Sequence, residues 1–150
     1  MQALPGIEAP PTGILTVLSV SANEEDHSSL QDIFCHSTGT LFRAPDISTA
    51  WALLHKHDIS VVFCERDVMP GTWIDMLEGV RLLPHPPSVI VTSRLADDRL
   101  WSQALNLGAW DVLAKPFDRT EVIRSAKSAW LHWHHPIQMP AMSLDVITAA

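Results

Sequence analysis

The stretch ISVVFC, residues 59–64, decides the fold class of this chain. It is almost continuously apolar and rich in β-branched side chains, and so is SVIVT, residues 88–92. A strand that faces water on one side alternates apolar and polar residues, whereas a strand covered on both sides need not alternate. Both stretches are therefore predicted to be central strands of a parallel sheet that carries helices on its two faces.

On either side of these stretches, strand-like runs alternate with amphipathic stretches of helical period. Asn23 stands where the first helix needs an N-cap, and Gly108 follows the fourth helix as a C-terminal cap. This order, (βα)5, predicts an α/β fold: a doubly wound, flavodoxin-like three-layer sandwich with parallel strand order 2-1-3-4-5. The other strands are predicted at 14–20, 40–43 and 110–114, and the helices at 24–36, 48–57, 73–83, 96–107 and 118–134.

Length and composition limit the classes of function. The 150 residues suit one domain, predicted at 14–135 between a Pro-rich leader (1–13) and a tail (136–150), with no output domain attached. The net charge of −7 argues against nucleic-acid binding. The sequence has neither a signal-peptide pattern nor an apolar run long enough to span a membrane, which predicts a cytoplasmic protein without membrane contact. Cys35 and Cys64 are interpreted as two buried thiols.

A further stretch carries a resemblance to a known family. LGAWDVLAKPF, residues 107–117, resembles the end of strand five in the receiver domains of bacterial two-component response regulators. VIVTS (89–93) resembles their strand four, and the strand that ends at Glu65, with Met-Pro-Gly at 69–71, resembles their strand three. The resemblance spans about residues 14–135. It implies a signalling module of the phosphorelay type rather than an enzyme, with a histidine kinase as an expected partner.

The resemblance also assigns site positions. In that family an aspartate after strand three accepts a phosphoryl group, two acids after strand one hold Mg²⁺, and a hydroxyl and a lysine contact the phosphoryl oxygens. Position by position, Glu65 takes the phosphoacceptor position, Thr92 the hydroxyl position and Lys115 the lysine position. Ser21 and Ala22 stand where the acidic pair belongs, so no resident metal or other cofactor is expected, with Mg²⁺ as the alternative.

The acceptor assignment depends on one residue of loop register. Counting from the apolar strand reaches Glu65, whereas counting back from the proline of the next loop reaches Arg66. The strand register is preferred because burial determines it more firmly than loop length does. Asp67 is a nearby carboxylate that could serve instead.

Three acids follow the degenerate pair: Glu24, Glu25 and Asp26. Acids in a first helical turn are explained by the helix dipole. Ligation of Mg²⁺ by Glu24 or Glu25 is the alternative, since a hard cation prefers several oxygen ligands.

The main functional prediction is a pseudo-receiver that acts by protein–protein interaction. Glutamate is one methylene longer than aspartate, so an ion pair between Glu65 and Lys115 is expected to hold the site in one state. One alternative is a receiver that is phosphorylated on Glu65 or Asp67. The other is a metal- or ligand-binding α/β domain that uses Glu24, Glu65 and Asp67.

Tryptophans indicate where a partner would bind. By the resemblance, Trp110 replaces a residue that is usually polar and exposed, and Trp133 lies in a polar stretch. Both are predicted at an interface on the face of helix 4, strand 5 and helix 5. This interface would serve a homodimer or another protein partner. Trp101 and Trp130 are predicted to be core residues.

Histidines cluster near the end of the last predicted helix, at His132, His134 and His135. Their position suits the negative end of the helix dipole. A transition-metal site is the alternative interpretation.

Overall fold

A computed structural model describes residues 15–35, 39–69 and 72–134, without the side chain of His134. Five parallel strands form one sheet in the order β2-β1-β3-β4-β5, which confirms the predicted fold class. The predicted leader, Pro70, Gly71, His135 and the predicted tail lie outside the described residues. The elements are β1 (Leu15–Val20), α1 (Glu24–Phe34), β2 (Gly39–Ala44), α2 (Ile47–Lys56), β3 (Val61–Glu65), α3 (Trp73–Val80), β4 (Ser88–Ser93), α4 (Asp98–Asn106), β5 (Asp111–Ala114) and α5 (Arg119–His134).

The central strand β3 shows why the sequence is apolar on both sides of the sheet. Val62 and Cys64 pack into the layer formed with α2, α3 and α4. Val61 and Phe63 point the other way and pack with α1 and α5. Since successive side chains of a strand alternate between faces, a strand with two covered faces must be apolar at every position.

Residues with the expected cap preferences mark the start of α1 and the end of α4. The side chain of Asn23 accepts a hydrogen bond from the backbone N–H of Glu25, so the predicted N-cap of α1 is confirmed. Gly108, predicted after α4, has a φ of +102°, in the region that favours glycine. A Cβ there would also lie 2.7 Å from Nη2 of Arg81. The positive φ therefore favours glycine at position 108, and a larger residue there would also displace the guanidinium of Arg81.

Two predictions of burial were wrong. Cys35 follows α1 with helical φ and ψ, five residues after the buried Leu30, so it falls on the other side of the helix and is exposed, whereas Cys64 is buried as predicted. Trp101 is 48% exposed, because the side of α4 that packs on the core carries Leu100 and the smaller Ala104 instead. Trp130, predicted in the core, is half-buried against the α1–α5 layer.

Within the described parts of the chain, no helix is both long and apolar enough to cross a membrane.

Candidate functional site

Lys115 lies between two carboxylates at the carboxyl edge of the sheet. Its Nζ donates to Oδ2 of Asp26 at 2.6 Å and forms an ion pair with Oε1 of Glu65. The side chains of Lys115, Asp26 and Glu65 are only 8%, 8% and 12% exposed. The predicted pair of Glu65 with Lys115 is thus present, but as part of a three-membered charge cluster that α1, β3 and the end of β5 supply.

The sheet register brings these groups together. Glu65 is paired with Thr92 across β3 and β4, and the backbone N–H of Lys115 donates to the carbonyl of Ser93 at 3.0 Å. Strands β3, β4 and β5 therefore end at one level, and the side chains that follow them meet above the same edge.

The environment of Lys115 favours its charged form. Burial by itself lowers the pKa of Lys115, but hydrogen bonds and charge interactions with Asp26 and Glu65 outweigh it, so the pKa is raised. Burial, with a smaller contribution from the charge of Glu65, raises the pKa of the neighbouring Cys64 to about 12. The cluster thus holds one ammonium against two carboxylates, with a neutral thiol beneath it.

A buried polar network ties α1 to the end of β1. The hydroxyl of Ser21 donates to Oδ2 of Asp26 at 2.6 Å and accepts from the backbone N–H of Asn23 at 3.0 Å. His27 lies within 2.9 Å of the carbonyl of Ser21 through Nε2, which must donate because a carbonyl only accepts. Its Nδ1 lies 2.8 Å from the hydroxyl of Ser19. Ser21, which occupies an acidic-pair position, therefore orients an acid that another element supplies.

Asp26 is the site residue that the sequence interpretation missed. It was grouped with Glu24 and Glu25 as an acid favoured by the helix dipole. Its spacing carried a further signal, because Asp26 precedes the buried Leu30 and Ile33 by four and seven residues and so shares their helix face. An acid on the apolar face of a helix calls for a buried partner, which here is Lys115.

The other two acids of this turn lie outside the cluster. Glu24 is 71% exposed and forms an ion pair with Arg43 at 2.5 Å. Glu25 is also exposed and approaches Arg94 to 3.9 Å. Neither residue lines the cavity that holds Glu65 and Lys115.

An open cavity of about 440 Å³ lies above Lys115. Asp67 is at its rim, and the backbone N–H of Asp67 donates to Oε2 of Glu65 at 2.6 Å. Thr92 is buried and does not line the cavity, whereas the next residue, Ser93, does. The lining residues are Ser21, Ala22, Asn23, Glu65, Arg66, Asp67, Ser93, Arg94, Leu95 and Lys115.

This donor set does not fit Mg²⁺. Ser21 and Ala22 offer no carboxylate, and both oxygens of Glu65 are already engaged, by Lys115 and by the N–H of Asp67. The oxygen of Asp26 that faces the site binds Lys115 and Ser21. Mg²⁺ requires near-octahedral oxygen coordination, which would compete with the ammonium for the same atoms. Among residues 15–35, 39–69 and 72–134, no group of three or more His, Cys, Asp or Glu side chains could hold a metal ion.

The two tryptophans predicted at an interface lie at the opposite, amino edge of the sheet. Trp110 precedes β5, is half-buried, and stacks on His132 with ring centroids 4.8 Å apart. Trp133, near the end of α5, stacks on His85 at 4.0 Å. Both indoles are therefore engaged within the molecule, while Trp101 on α4 is the more exposed.

The fold and this edge define a class of protein. A five-stranded parallel sheet carries an acid at the end of β3 and a lysine after β5, which is the arrangement that the resemblance to receiver domains implied. The family model described as the response regulator receiver domain matches residues 17–127. The chain belongs to this family and is a receiver domain of two-component signalling.

Similar proteins agree with this assignment. Over 78 residues, or 51% of this chain, it is 35% identical to a protein-glutamate methylesterase/protein-glutamine glutaminase of Desulfotalea psychrophila, and the match spans 21% of that protein. The signal receiver domain of an HD domain-containing protein from Pseudomonas fluorescens Pf-5 has a TM-score of 0.74 at 23% identity, over 81% of this chain and 98% of that one. The beryllofluoride-activated NtrC4 receiver domain dimer has a TM-score of 0.73 at 20% identity, over 79% and 98%. The two structures share the fold.

Proposed function

We propose that this receiver domain is a pseudo-receiver, held in one state by its own charges and active through contact with another protein. The observation that carries the proposal is the position of the Lys115 ammonium between Asp26 and Glu65. In a phosphorylated receiver that ammonium would neutralise charge on the incoming phosphoryl group. Here two resident carboxylates already neutralise it.

Phosphoryl transfer to this site would require several contacts to break. Catalysis of that transfer depends on a metal ion and a cation placed around a nucleophilic carboxylate. Each oxygen of Glu65 has a partner of its own, so attack through Oε1 would have to displace Lys115 and attack through Oε2 would have to displace the N–H of Asp67. Breaking a buried ion pair leaves a charge without a partner, which costs about 3–5 kcal/mol.

Acetyl phosphate with Mg²⁺, followed by intact-mass measurement, tests this proposal. We expect the wild-type protein to gain no phosphoryl group. The double variant Ala22→Asp, Glu65→Asp restores an exposed acid after β1 and a shorter acceptor, so we expect it to gain one. Stoichiometric phosphorylation of the wild type would contradict the proposal.

The same experiment separates the two alternatives. An adduct that is lost in Glu65→Gln or in Asp67→Asn would identify a working receiver with that acceptor. A saturable change of tryptophan fluorescence on titration with Mg²⁺ alone would instead favour a metal-binding domain, and we expect no such change.

We place the protein contact on α4, β5 and α5, with a second copy of the chain as the partner. Trp101 on α4 and Leu131 on α5 are 48% and 46% exposed, and both helices contact β5. The similar NtrC4 structure is that of a dimer. The proposal further holds that the domain is non-catalytic, spans about residues 14–135, and works in the cytoplasm without binding nucleic acid or membrane.

Sedimentation at high micromolar concentration tests this contact. We expect a dimer for the wild type and a monomer for Trp101→Ala, because large exposed aromatic residues dominate interface energies. Trp110→Ala is the matched control, and it should remain dimeric unless the contact extends to the amino edge. A monomeric wild type would contradict the homodimer.

A further inference from the structure

A second cavity lies at the amino edge of the sheet, where β4 and β5 begin. Its volume is about 340 Å³. Residues of α3 from one helical layer and of α5 from the other form its sides. The lining residues are Leu77, Val80, Arg81, His85, Pro86, Pro87, Ser88, Val89, Gly108, Trp110, His132 and Trp133. Pockets of about 300–1,000 Å³ that are mainly apolar with a few polar groups are typical of small-molecule sites.

The charges of this lining are one-sided. It contains Arg81, His85 and His132 but no aspartate or glutamate, although the chain carries a net charge of −7. Asp58 lies 3.9 Å from Nδ1 of His85, but it lines a neighbouring cavity. The cavity therefore offers donors and positive charge without a competing carboxylate of its own.

The position of Arg81 is set by the backbone around Gly108. Its Nη2 donates to the carbonyl of Leu107, and the missing Cβ of Gly108 leaves room for the guanidinium. Arginine has five N–H donors in a fixed fork, so this bond leaves others for a ligand.

The aromatic groups are positioned in the same way. Trp133 is stacked on His85 with the ring planes 8° apart, and Trp110 on His132 at 24°. Nδ1 of His132 is buried and has no hydrogen-bond partner in the described parts of the chain. A buried polar atom without a partner costs about 1–3 kcal/mol. In the tautomer that carries its proton on Nδ1, His132 would donate to an acceptor supplied by a ligand, which would be favourable there.

From these features we propose that the amino-edge cavity binds a small aromatic acid. The ring would pack against Trp110 and Trp133, and the carboxylate would meet the guanidinium of Arg81 and the imidazole of His132. Arginine recognises planar carboxylates with two parallel hydrogen bonds, which gives such a site its preference for an acid. This proposal is independent of whether the carboxyl-edge site accepts a phosphoryl group.

The test uses indole-3-acetate as the probe and the neutral indole-3-acetamide as its control, with the full chain labelled with ¹⁵N. The six tryptophans give six indole N–H signals, each assigned by substitution. We expect indole-3-acetate to shift the signals of Trp110 and Trp133 in a saturable manner, with Trp51 and Trp73 unchanged. The acid should bind at least about tenfold more tightly than the amide, as loss of a charge-assisted hydrogen bond predicts.

Variants separate recognition of the carboxylate from nonspecific apolar binding. Arg81→Gln should weaken binding of the acid about tenfold and leave the weak binding of the amide unchanged. Arg99→Gln, an exposed arginine on α4 outside the cavity, should change neither. Absence of saturation, equal binding of acid and amide to the wild type, or shifts at all six indoles would overturn the proposal. If Arg81→Gln fails to fold, the comparison of acid with amide on the wild type still decides.

Discussion

The two edges of the sheet are built in opposite ways. At the carboxyl edge, Lys115 is nearly buried between Asp26 and Glu65, so charges that could face a ligand face one another instead. At the amino edge, Arg81 lies in the lining of an open cavity that includes no carboxylate, and Nδ1 of His132 has no hydrogen-bond partner among the described residues. The same strands connect both edges. This chain satisfies its polar groups where the family has its reactive site, whereas at the other end Arg81 uses Nη2 for the carbonyl of Leu107 and keeps further N–H donors for a ligand.

The largest expected effect comes from opening the carboxyl-edge cluster. Lys115→Met leaves two buried carboxylates without their cation, and we expect the free energy of unfolding to fall by about 3–5 kcal/mol. Urea denaturation at neutral pH measures it. The triple variant with Asp26→Asn and Glu65→Gln added removes both carboxylate charges, so it should recover most of the loss. A decrease below about 1 kcal/mol in Lys115→Met would show that the cluster is solvated rather than closed.

A smaller effect separates two acids of one helical turn. Asp26→Asn removes a buried charge-assisted hydrogen bond and should cost about 2 kcal/mol. Glu24→Gln is its matched control, because it removes the same charge from the same turn of α1 but from an exposed pair with Arg43. It should cost less than about 1 kcal/mol. Equal losses of unfolding free energy in the two variants, measured by urea denaturation, would mean that these acids stabilise the protein only through the helix dipole.

A residue of the fold or the site could be predicted from the sequence only where the pattern that identifies it spans a few neighbouring residues. Asn23 and Gly108 were predicted because a helix cap is a local feature of a few residues. Asp26 was missed because three consecutive acids satisfy the dipole argument equally, and only helical phase separates the inward one. Its contact with Lys115 joins residues 89 apart in sequence, and no local pattern reports such a pairing.

Two failures have the same physical origin. On α4, Leu100 and Trp101 are adjacent, and the periodicity of a short helix does not decide which of them faces the core. The small Ala104 decides it, since it allows α4 to pack closely against the sheet. Cys35 was interpreted as buried because it lies in an apolar stretch, but its helical phase places it away from the face of Leu30 and Ile33. The strand register of Glu65, in contrast, followed from burial, and the structure brings Glu65 rather than Arg66 to Lys115.

The smallest effect appears at alkaline pH. The pKa of Cys64 is raised from 9.0 to about 12, so above pH 9 the unfolded chain loses this proton while the folded protein keeps it. Stability is therefore full below about pH 9 and falls as pH rises, by about 1.4 kcal/mol at about pH 10. The raised pKa of Lys115 adds a loss of the same sign only above its ordinary value of 10.5.

Urea denaturation of the wild type and of Cys64→Ala, once at neutral pH and once at about pH 10, measures this effect. The variant should be less stable at neutral pH because it loses packing, but its stability should change less between the two pH values. An identical decline in both proteins would contradict the raised pKa of the Cys64 thiol.

The placement of Lys115 also bears on how such a protein could carry a message. In the pseudo-receiver proposed above, a lysine that is permanently neutralised from within leaves no second covalent state to report. What its target then senses is how many copies are present, so synthesis and degradation become the variables that carry information. The timescale of the response would be that of gene expression and turnover rather than that of phosphoryl exchange.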